Sequence, residues 1–575
     1  MPAPEEIFSA SRMNRPPLSN VIFTEKDIVK AISEISNSSA AGPDLFPALL
    51  LKNCRYSLAK PLCLIWQKSL DCGTIPQIMK TANIIPIHKG GNRGAPSNYR
   101  PVALTSHLIK IFEKVVRNQL VAYMEEHNLF NPHQHGFRGG RSCLSQLIAH
   151  YDHITWLLES GQNVDVIYLD FAKAFDKVDF LVTLQKLREI GVTGKLGSWM
   201  YAFLTNRTQS VLVNGHRSHS IPVRSGVPQG SVLGPLLFLV LLGDIDQEVA
   251  QAYVSSFADD TRVANGITSK DDIQALQMDL DSIYKWSKEN NMMFNSKKFE
   301  CIRYGPQSDL QRTSHYISDN GCPIDEVCDV RDLGVLMSND GKFTKHINNI
   351  VDASRSQCSW ILRTFLTRDR LPMMTLWKSL VRSRLEYCCQ LWCPAKKGDI
   401  QALEQIQRSF LRKINGMQGL SYWEQLRTLS VYSLERRRER YLIMYIWKIM
   451  EGQVPNFTCA ERVGVQTKHH IRRGRLCVVP TINPQASQAV KSLRYASFAV
   501  HAPRLFNILP LHIRNTTGCS IETFKRKLDA YLATVPDEPQ IAGYTAIRRA
   551  DSNSLLDMHA LATAQLVDTL DEADS

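Results

Sequence analysis

Long apolar runs are missing from this chain of 575 residues. The longest lipid-like stretch, Pro235–Leu242, is far short of the ~20 residues needed to cross a bilayer, so neither a membrane span nor a membrane partner is expected. The 14 cysteines show no tight disulfide framework. Cys388, Cys389 and Cys393 lack both a CxxC pair and matching histidines, and read as buried thiols rather than zinc ligands. The opening Met1-Pro2-Ala3-Pro4-Glu5-Glu6 has no basic-then-apolar layout of a secretory signal, which points to an intracellular, reduced protein. No fixed-period repeat is visible. Net charge is also nearly absent from residues 1–360, which sum to about +1, whereas residues 361–530 carry 29 basic against 11 acidic groups and residues 531–575 sum to −6. An excess of one sign on one half of a chain suggests a polyanion held by that half.

What is present is enough apolar content, 44%, for three or four folded units. Thr24 ahead of Asp27 and of an apolar 3.6-residue pattern predicts a capped helix over 21–35. A Leu-rich helical pattern follows from Phe46 to Leu70. Residues 82–87 read as a strand running into a Gly-rich basic loop that closes at Arg100, then a helix over 108–124. His133-Gln134-His135-Gly136-Phe137-Arg138 forms a second basic turn before a helix over 142–159. Its two histidines have no third ligand at helical or hairpin spacing, so they are not read as a metal site. Residues 164–170 are strand-like and Asp176–Ile190 helical. Strands at 209–214 and 221–224 flank an Asn214-Gly215 hairpin turn. Gly226 to Pro235 is a Gly/Pro-punctuated turn opening an apolar helix to Leu242. Helices follow at 273–288 and 345–366, with a strand and turn over 292–298 and a strand piece at 332–336. From there to about 450 the chain is helical and basic, densest at Arg436-Arg437-Arg438-Glu439-Arg440. The alternation predicts an α+β layered unit.

Two acidic sites carry the chemistry. Asp170 ends one apolar run, and Asp259-Asp260 ends another 89 residues later. An isolated Asp pair is more often a cap or a surface turn. Nucleotidyl transfer, however, needs two divalent ions roughly 3.5–4 Å apart, and magnesium takes only one or two carboxylates per ion, completed by water and phosphate. Asp170, Asp259 and Asp260 supply about that number. Neighbouring strand residues point to opposite faces, so the pair serves one site only if it lies at a hairpin turn. Lys89 and Arg100 bracket a loop that could close on a triphosphate arriving with its metal.

Five ordered segments then match a known pattern: Asn98-Tyr99-Arg100-Pro101-Val102, Gln134-His135-Gly136-Phe137-Arg138, Leu169-Asp170-Phe171-Ala172-Lys173-Ala174-Phe175-Asp176-Lys177-Val178, Gly226 to Pro235, and Phe257-Ala258-Asp259-Asp260. With them, residues of about 80–340 resemble the reverse transcriptase of non-LTR (LINE-type) retrotransposons, most like the jockey and chicken-repeat-1 lineages. The resemblance implies a right-hand polymerase: residues 1–80 an N-terminal helical extension, 81–160 fingers, 161–345 the palm with its antiparallel sheet, 346–450 a helical basic thumb, 451–535 a basic C-terminal domain and 536–575 a loosely attached tail. It implies two Mg²⁺ ions, with Mn²⁺ able to replace them, held by Asp170, Asp259 and Asp260.

By the same resemblance Phe175 excludes a ribose 2′ hydroxyl, while Gln229 and Gly230 form the turn packed on the incoming nucleotide and template. Lys89 and Arg100 correspond to triphosphate cations, Lys298 to the acid that protonates pyrophosphate with Lys297 an open alternative, and Leu333-Gly334 to the grip on the primer end. The partners implied are template RNA, a DNA primer or nicked target DNA, and dNTPs, in a cytoplasmic or nuclear ribonucleoprotein. No endonuclease is expected within residues 1–80 and no RNase H after the thumb, so a separate endonuclease is an expected partner. Two other readings stay open: a catalytically inactive or domesticated nucleic-acid-binding relic, and an RNA-copying RNA polymerase, which Phe175 and Ala258 disfavour. A palm cut off at about residue 345 is expected to keep the acidic site and bind template weakly.

Overall fold

The computed structural model describes residues 2–8, 15–306, 309–456, 475–539, 552–560 and 562. The architecture is mixed helix and sheet. One five-stranded sheet has the order β10-β9-β3-β8-β7, built from Asn163–Leu169 (β3), Tyr253–Phe257 (β7), Asp260–Ile267 (β8), Glu300–Tyr304 (β9) and Asp325–Glu326 (β10). A second joins Thr81–His88 (β1), Tyr99–Leu104 (β2), Arg207–Val213 (β4), His216–Arg217 (β5) and Ile221–Val223 (β6), with β1 between β2 and β4. Asp329–Asp332 (β11) and Val335–Ser338 (β12) form a separate hairpin.

The period-two alternation of β3 divides two cores. Val164, Val166 and Tyr168 face one side with Ala264, Ile302 and Tyr304, beneath the helices Cys143–Glu159 and Thr344–Thr364. Ile167 and Leu169 face the other with Val263 and Cys301, against Phe180–Glu189, Gly234–Leu241 and Lys270–Glu289. Both faces of β3 are covered, and the strand ends one residue before Asp170.

Most of the predicted elements appear within a few residues. Thr24 caps Glu25–Ser33 by accepting from Asp27 N at 3.2 Å. Asn214 and Gly215, at φ 50° and 81°, make the β4–β5 turn. The differences in detail are local. The Leu-rich stretch is two helices, Ala48–Asn53 and Arg55–Asp71. The segment expected to be helical from Asp176 breaks at Val178, whose backbone is extended, and Phe180–Glu189 restarts under Asp179, which accepts from Val182 N at 3.0 Å. Residues 292–298 pair only at Phe294, opposite Phe171, before the expected turn at Ser296–Lys298, and the strand expected over 332–336 is broken by the Leu333-Gly334 turn between β11 and β12.

Two larger corrections concern charge and the tail. The Arg436–Arg440 run is not a surface: Arg436, Arg438 and Arg440 are buried. Arg436 donates to the carbonyls of Pro536 and Asn553, Arg437 pairs with Glu386, and Arg440 with Asp529. Part of the positive charge of the helical half is therefore held inside it, because a guanidinium offers five donors that can satisfy several carbonyls at once. The end of the chain is not loosely attached at residues 552–556 either, since Asn553 and Leu555 are buried against Leu434–Met450. The expected basic C-terminal domain and tail lie partly outside the described residues, at 457–474, 540–551, 561 and 563–575.

Candidate active site at the acidic hairpin

β7 and β8 pair in tight register, with Phe257 opposite Asp260, so that Ala258 and Asp259 alone make the turn. Ala258 takes φ 56°, a left-handed conformation that costs an L-residue about 1 kcal/mol or more. It is held there by Gln134. The buried Gln134 side chain accepts from Ala258 N and from Gly136 N, both at 2.8 Å, and donates to Ala258 O at 3.2 Å. Main-chain bonds between His135 N and Ser256 O (2.8 Å) and between Ser256 N and His133 O (3.1 Å) lay the segment 133–136 along the outer edge of β7. A Cβ on Gly136 would stand 2.4 Å from Ala258 N, so only glycine permits this approach. The basic turn of the sequence is therefore the clamp on the hairpin. Its histidines are structural: His135 is buried, bonded to Ser145 Oγ at 2.9 Å, and pushed down to about 2 by burial and the surrounding arginines.

Register brings the carboxylates together. Leu169 pairs with Thr261, which sets Asp170, one residue further, beside Asp260 and the turn. Asp259 is raised by burial and by Asp170 and lowered by Arg100 and Lys298. Asp260 is pushed up to about 6, by burial first, then by Asp259, with Asp332 and Asp170 adding to it. Asp170 Oδ2 accepts from Lys298 Nζ at 2.8 Å, and its main-chain carbonyl accepts from Asn295 N at 2.8 Å. Lys297 makes no ion pair among the described residues, so Lys298 is the lysine that meets the carboxylates. Among those residues no three His, Cys, Asp or Glu groups close around a point as a metal cage would, and Lys298 occupies one oxygen of Asp170. The donor set still suits a hard divalent cation: three carboxylates meet there, two of them raised first by burial and then by the neighbouring carboxylates.

The other candidates divide. Arg100, exposed on β2, is near enough to lower Asp259, whereas Lys89 stands exposed at the foot of the loop with no contact to the acidic group. Phe175 stacks on Phe238 with centroids 4.6 Å apart and meets Phe137 edge-on at 5.9 Å. Gln229 donates to Asp176 Oδ1 at 2.9 Å, and its carbonyl accepts from Ala103 N at 2.8 Å. Gly230 has φ 135°, and a Cβ there would lie 2.5 Å from Ala103 O. Gln229 and Asp176 line a cleft of 320 Å³ between this turn and β1, β2 and β4. Leu333 and Gly334 make the β11–β12 turn at φ 43° and 89°.

Sequence reading missed three supports besides Gln134. Glu113, buried and raised by that burial, accepts from Val232 N and Leu233 N at 2.6 and 2.9 Å and so anchors the turn carrying Gln229. Arg262 and Asp332 form a buried pair beside Asp260. Their roles are not marked locally, because the partners of Glu113 (on the helix His107–Glu126) and of Arg262 and Asp332 (on β8 and β11) lie 70 or more residues away; a charged residue at an inward position was the available signal.

Residues 87–324 match the reverse transcriptase (RNA-dependent DNA polymerase) family. Over 420 residues the chain is 29% identical to an RNA-directed DNA polymerase from mobile element jockey of Drosophila melanogaster, covering 70% of this chain and 44% of that one. It is 26% identical over 403 residues to a probable RNA-directed DNA polymerase from transposon X-element of the same fly, covering 68% and 44%. It is also 26% identical over 440 residues to that from transposon BS, covering 73% and 48%. The chain thus spans under half the length of these relatives. An apo telomerase structure from Candida tropicalis, truncated from its C-terminal domain, overlays on 49% of this chain and 59% of its own at 11% identity and TM-score 0.33, a likeness too slight to carry an argument.

Proposed function

We propose that this chain, whose residues 87–324 are a reverse transcriptase domain, is the RNA-directed DNA polymerase of a non-LTR retrotransposon, extending a primer 3′ hydroxyl with dNTPs on an RNA template. The observation that carries this reading is the meeting of Asp170 with Asp259 and Asp260 at the open end of one sheet, from positions 89 residues apart, inside the matched segment. On this reading β3, β7, β8 and β9 are the palm, the β1/β2/β4 sheet belongs to the fingers, and the helices after residue 344 are the thumb.

Asp170, Asp259 and Asp260 would hold two Mg²⁺ ions, which when bound lower the pKa of the primer hydroxyl and neutralise the triphosphate. The protein's own residues do the rest. Arg100, facing the carboxylates from β2, binds triphosphate oxygens, and Lys89 joins it as the 89–98 loop closes. Lys298, an ammonium already beside the site, gives its proton to the departing pyrophosphate. Phe175, rigid against Phe238, leaves no room for a 2′ hydroxyl, and the anchored Gln229 turn supports the nucleotide and template. Leu333-Gly334 steadies the primer end.

Purified protein given a primed RNA template and Mg²⁺ should incorporate dNTPs in preference to rNTPs. Asp259→Asn should lower the rate by about 10³-fold or more, the scale of losing several kcal/mol of charge stabilisation. Template binding without any extension by the wild-type protein overturns the proposal.

A further inference from the structure

Arg262 and Asp332 are among the most buried charges in the molecule, with side chains 1% and 2% exposed. Arg262 points from β8 to the same face as Asp260, two residues before it. Its guanidinium grips Asp332 with two donors, Nε to Oδ2 at 2.6 Å and Nη2 to Oδ1. Its third nitrogen, Nη1, lies 3.5 Å from the main-chain carbonyl of Asp260, and its plane stands over the Tyr168 ring at 6.0 Å. Tyr168 in turn is bonded to His150 at 3.2 Å. Asp332 is the last residue of β11 and immediately precedes the Leu333-Gly334 turn. From the far side Tyr387 OH donates to Leu333 O at 2.9 Å. The two turns belong to different sheets, so this pair is a direct polar bridge between the acidic hairpin and the β11–β12 hairpin.

We propose that Arg262 and Asp332 are positioning residues that lock the Asp259–Asp260 turn to the Leu333-Gly334 turn, so that the carboxylates and the primer end are held as one body. This rests on the function proposed above for the two turns. Bidentate guanidinium–carboxylate pairing fixes distance and angle together, whereas an apolar contact would let the two hairpins slide. Catalysis at this site depends on an attacking oxygen kept within a fraction of an ångström of its line. Tyr387 extends the lock to the helical half, because a shift of that tyrosine pulls on the carbonyl next to Asp332.

The test separates fixing position from holding the fold together. A buried ion pair replaced by an apolar pair of similar size usually keeps stability, so Arg262→Met with Asp332→Leu is the informative double variant, with Arg262→Lys beside it. The double variant should melt within a few degrees of wild type. Its kcat for extension should nevertheless fall by about ten- to a hundredfold, with KM for dNTP and affinity for template-primer unchanged; Arg262→Lys should recover part of kcat. A double variant with wild-type melting and wild-type kcat overturns the proposal.

Amide exchange supplies an arm that does not need turnover. In the wild-type background Tyr387→Phe should speed exchange both at 331–335 and at 257–262, and in the apolar-pair background only at 331–335. Exchange at 257–262 that ignores Tyr387→Phe in the wild-type background also overturns it. If wild-type protein extends no primer, the functional reading fails, and the exchange arm still decides whether the two hairpins are locked.

Discussion

Gln134 explains how a strained turn can carry two carboxylates. Ala258 sits in a left-handed conformation inside a two-residue turn; one buried amide side chain holds it there with two hydrogen bonds and bonds Gly136 N with a third. Gln134→Ala strands the Ala258 and Gly136 groups without partners, at about 1–3 kcal/mol for each buried group left unpaired. The variant should melt several degrees lower and lose most of its extension rate. Gln134→Glu keeps the two acceptor contacts but loses the donor to Ala258 O, and should fall between Ala and wild type. Wild-type extension by a folded Gln134→Ala protein would show that the turn keeps its shape unaided. The amide was legible as part of a basic turn but its role was not, because its target lies 124 residues away and local spacing says nothing about such a partner.

At the scale of one element, the helix Leu434–Met450 shows why charge in a sequence does not convert directly into surface. It holds Glu435 and Glu439 buried among Arg436, Arg438, Glu404 and Asp537. Burial, then repulsion from Glu439, pushes Glu435 up to about 8; burial pushes Glu439 up to about 7, against the pull of Arg436. Both stay neutral in the fold over a range where the unfolded chain, with carboxyls near 4.5, has already released its protons. The stability they contribute is complete below about pH 4.5 and is lost as pH rises through 7 to 8. The thermal midpoint should therefore fall between pH 5 and pH 8.5, and Glu435→Gln should flatten that fall by staying neutral throughout. An unchanged slope in Glu435→Gln would place the titration elsewhere. A charge sum does not reveal which way this arginine run faces, because Lys and Arg count the same in it whether they face solvent or buried acceptors.

For the whole molecule, the decisive feature is a core shared across distant segments. Val164, Val166, Ile302 and Tyr304 from the central sheet pack in one cluster with Val351, Ile361, Trp377, Phe410, Trp447 and Phe524 from the helical half. Buried Arg494, paired with Asp152 at 2.8 Å and Glu159 at 2.7 Å, ties the C-terminal helices to Cys143–Glu159. A chain ending at residue 345 would lose the helical half's share of this core and take Arg494 away from Asp152 and Glu159, so its fold should be less complete as well as its hold on template weaker. It should bind a hydrophobic dye and melt without a cooperative transition, where the whole chain melts cooperatively; a sharp transition in the short chain would show that the sheet stands alone. The acidic site and the basic half read from charge share one apolar core, in which the helical half packs on the sheet that carries the carboxylates.

The sequence by itself determined the local grammar: caps, the Asn214-Gly215 hairpin, the strand that delivers Asp170, the turn that carries Asp259 and Asp260, and through five ordered motifs the family of residues 87–324. These depend on neighbours within a few positions, where periodicity and turn chemistry act. Only the tertiary structure decided that Gln134 holds the Ala258-Asp259 turn and Glu113 the Gln229 turn, that Arg262 and Asp332 join two hairpins, that Lys298 rather than Lys297 meets Asp170, and that the arginine run faces inward. Each of those is a pairing of polar groups far apart in the chain, chosen by which donor and acceptor burial brings face to face.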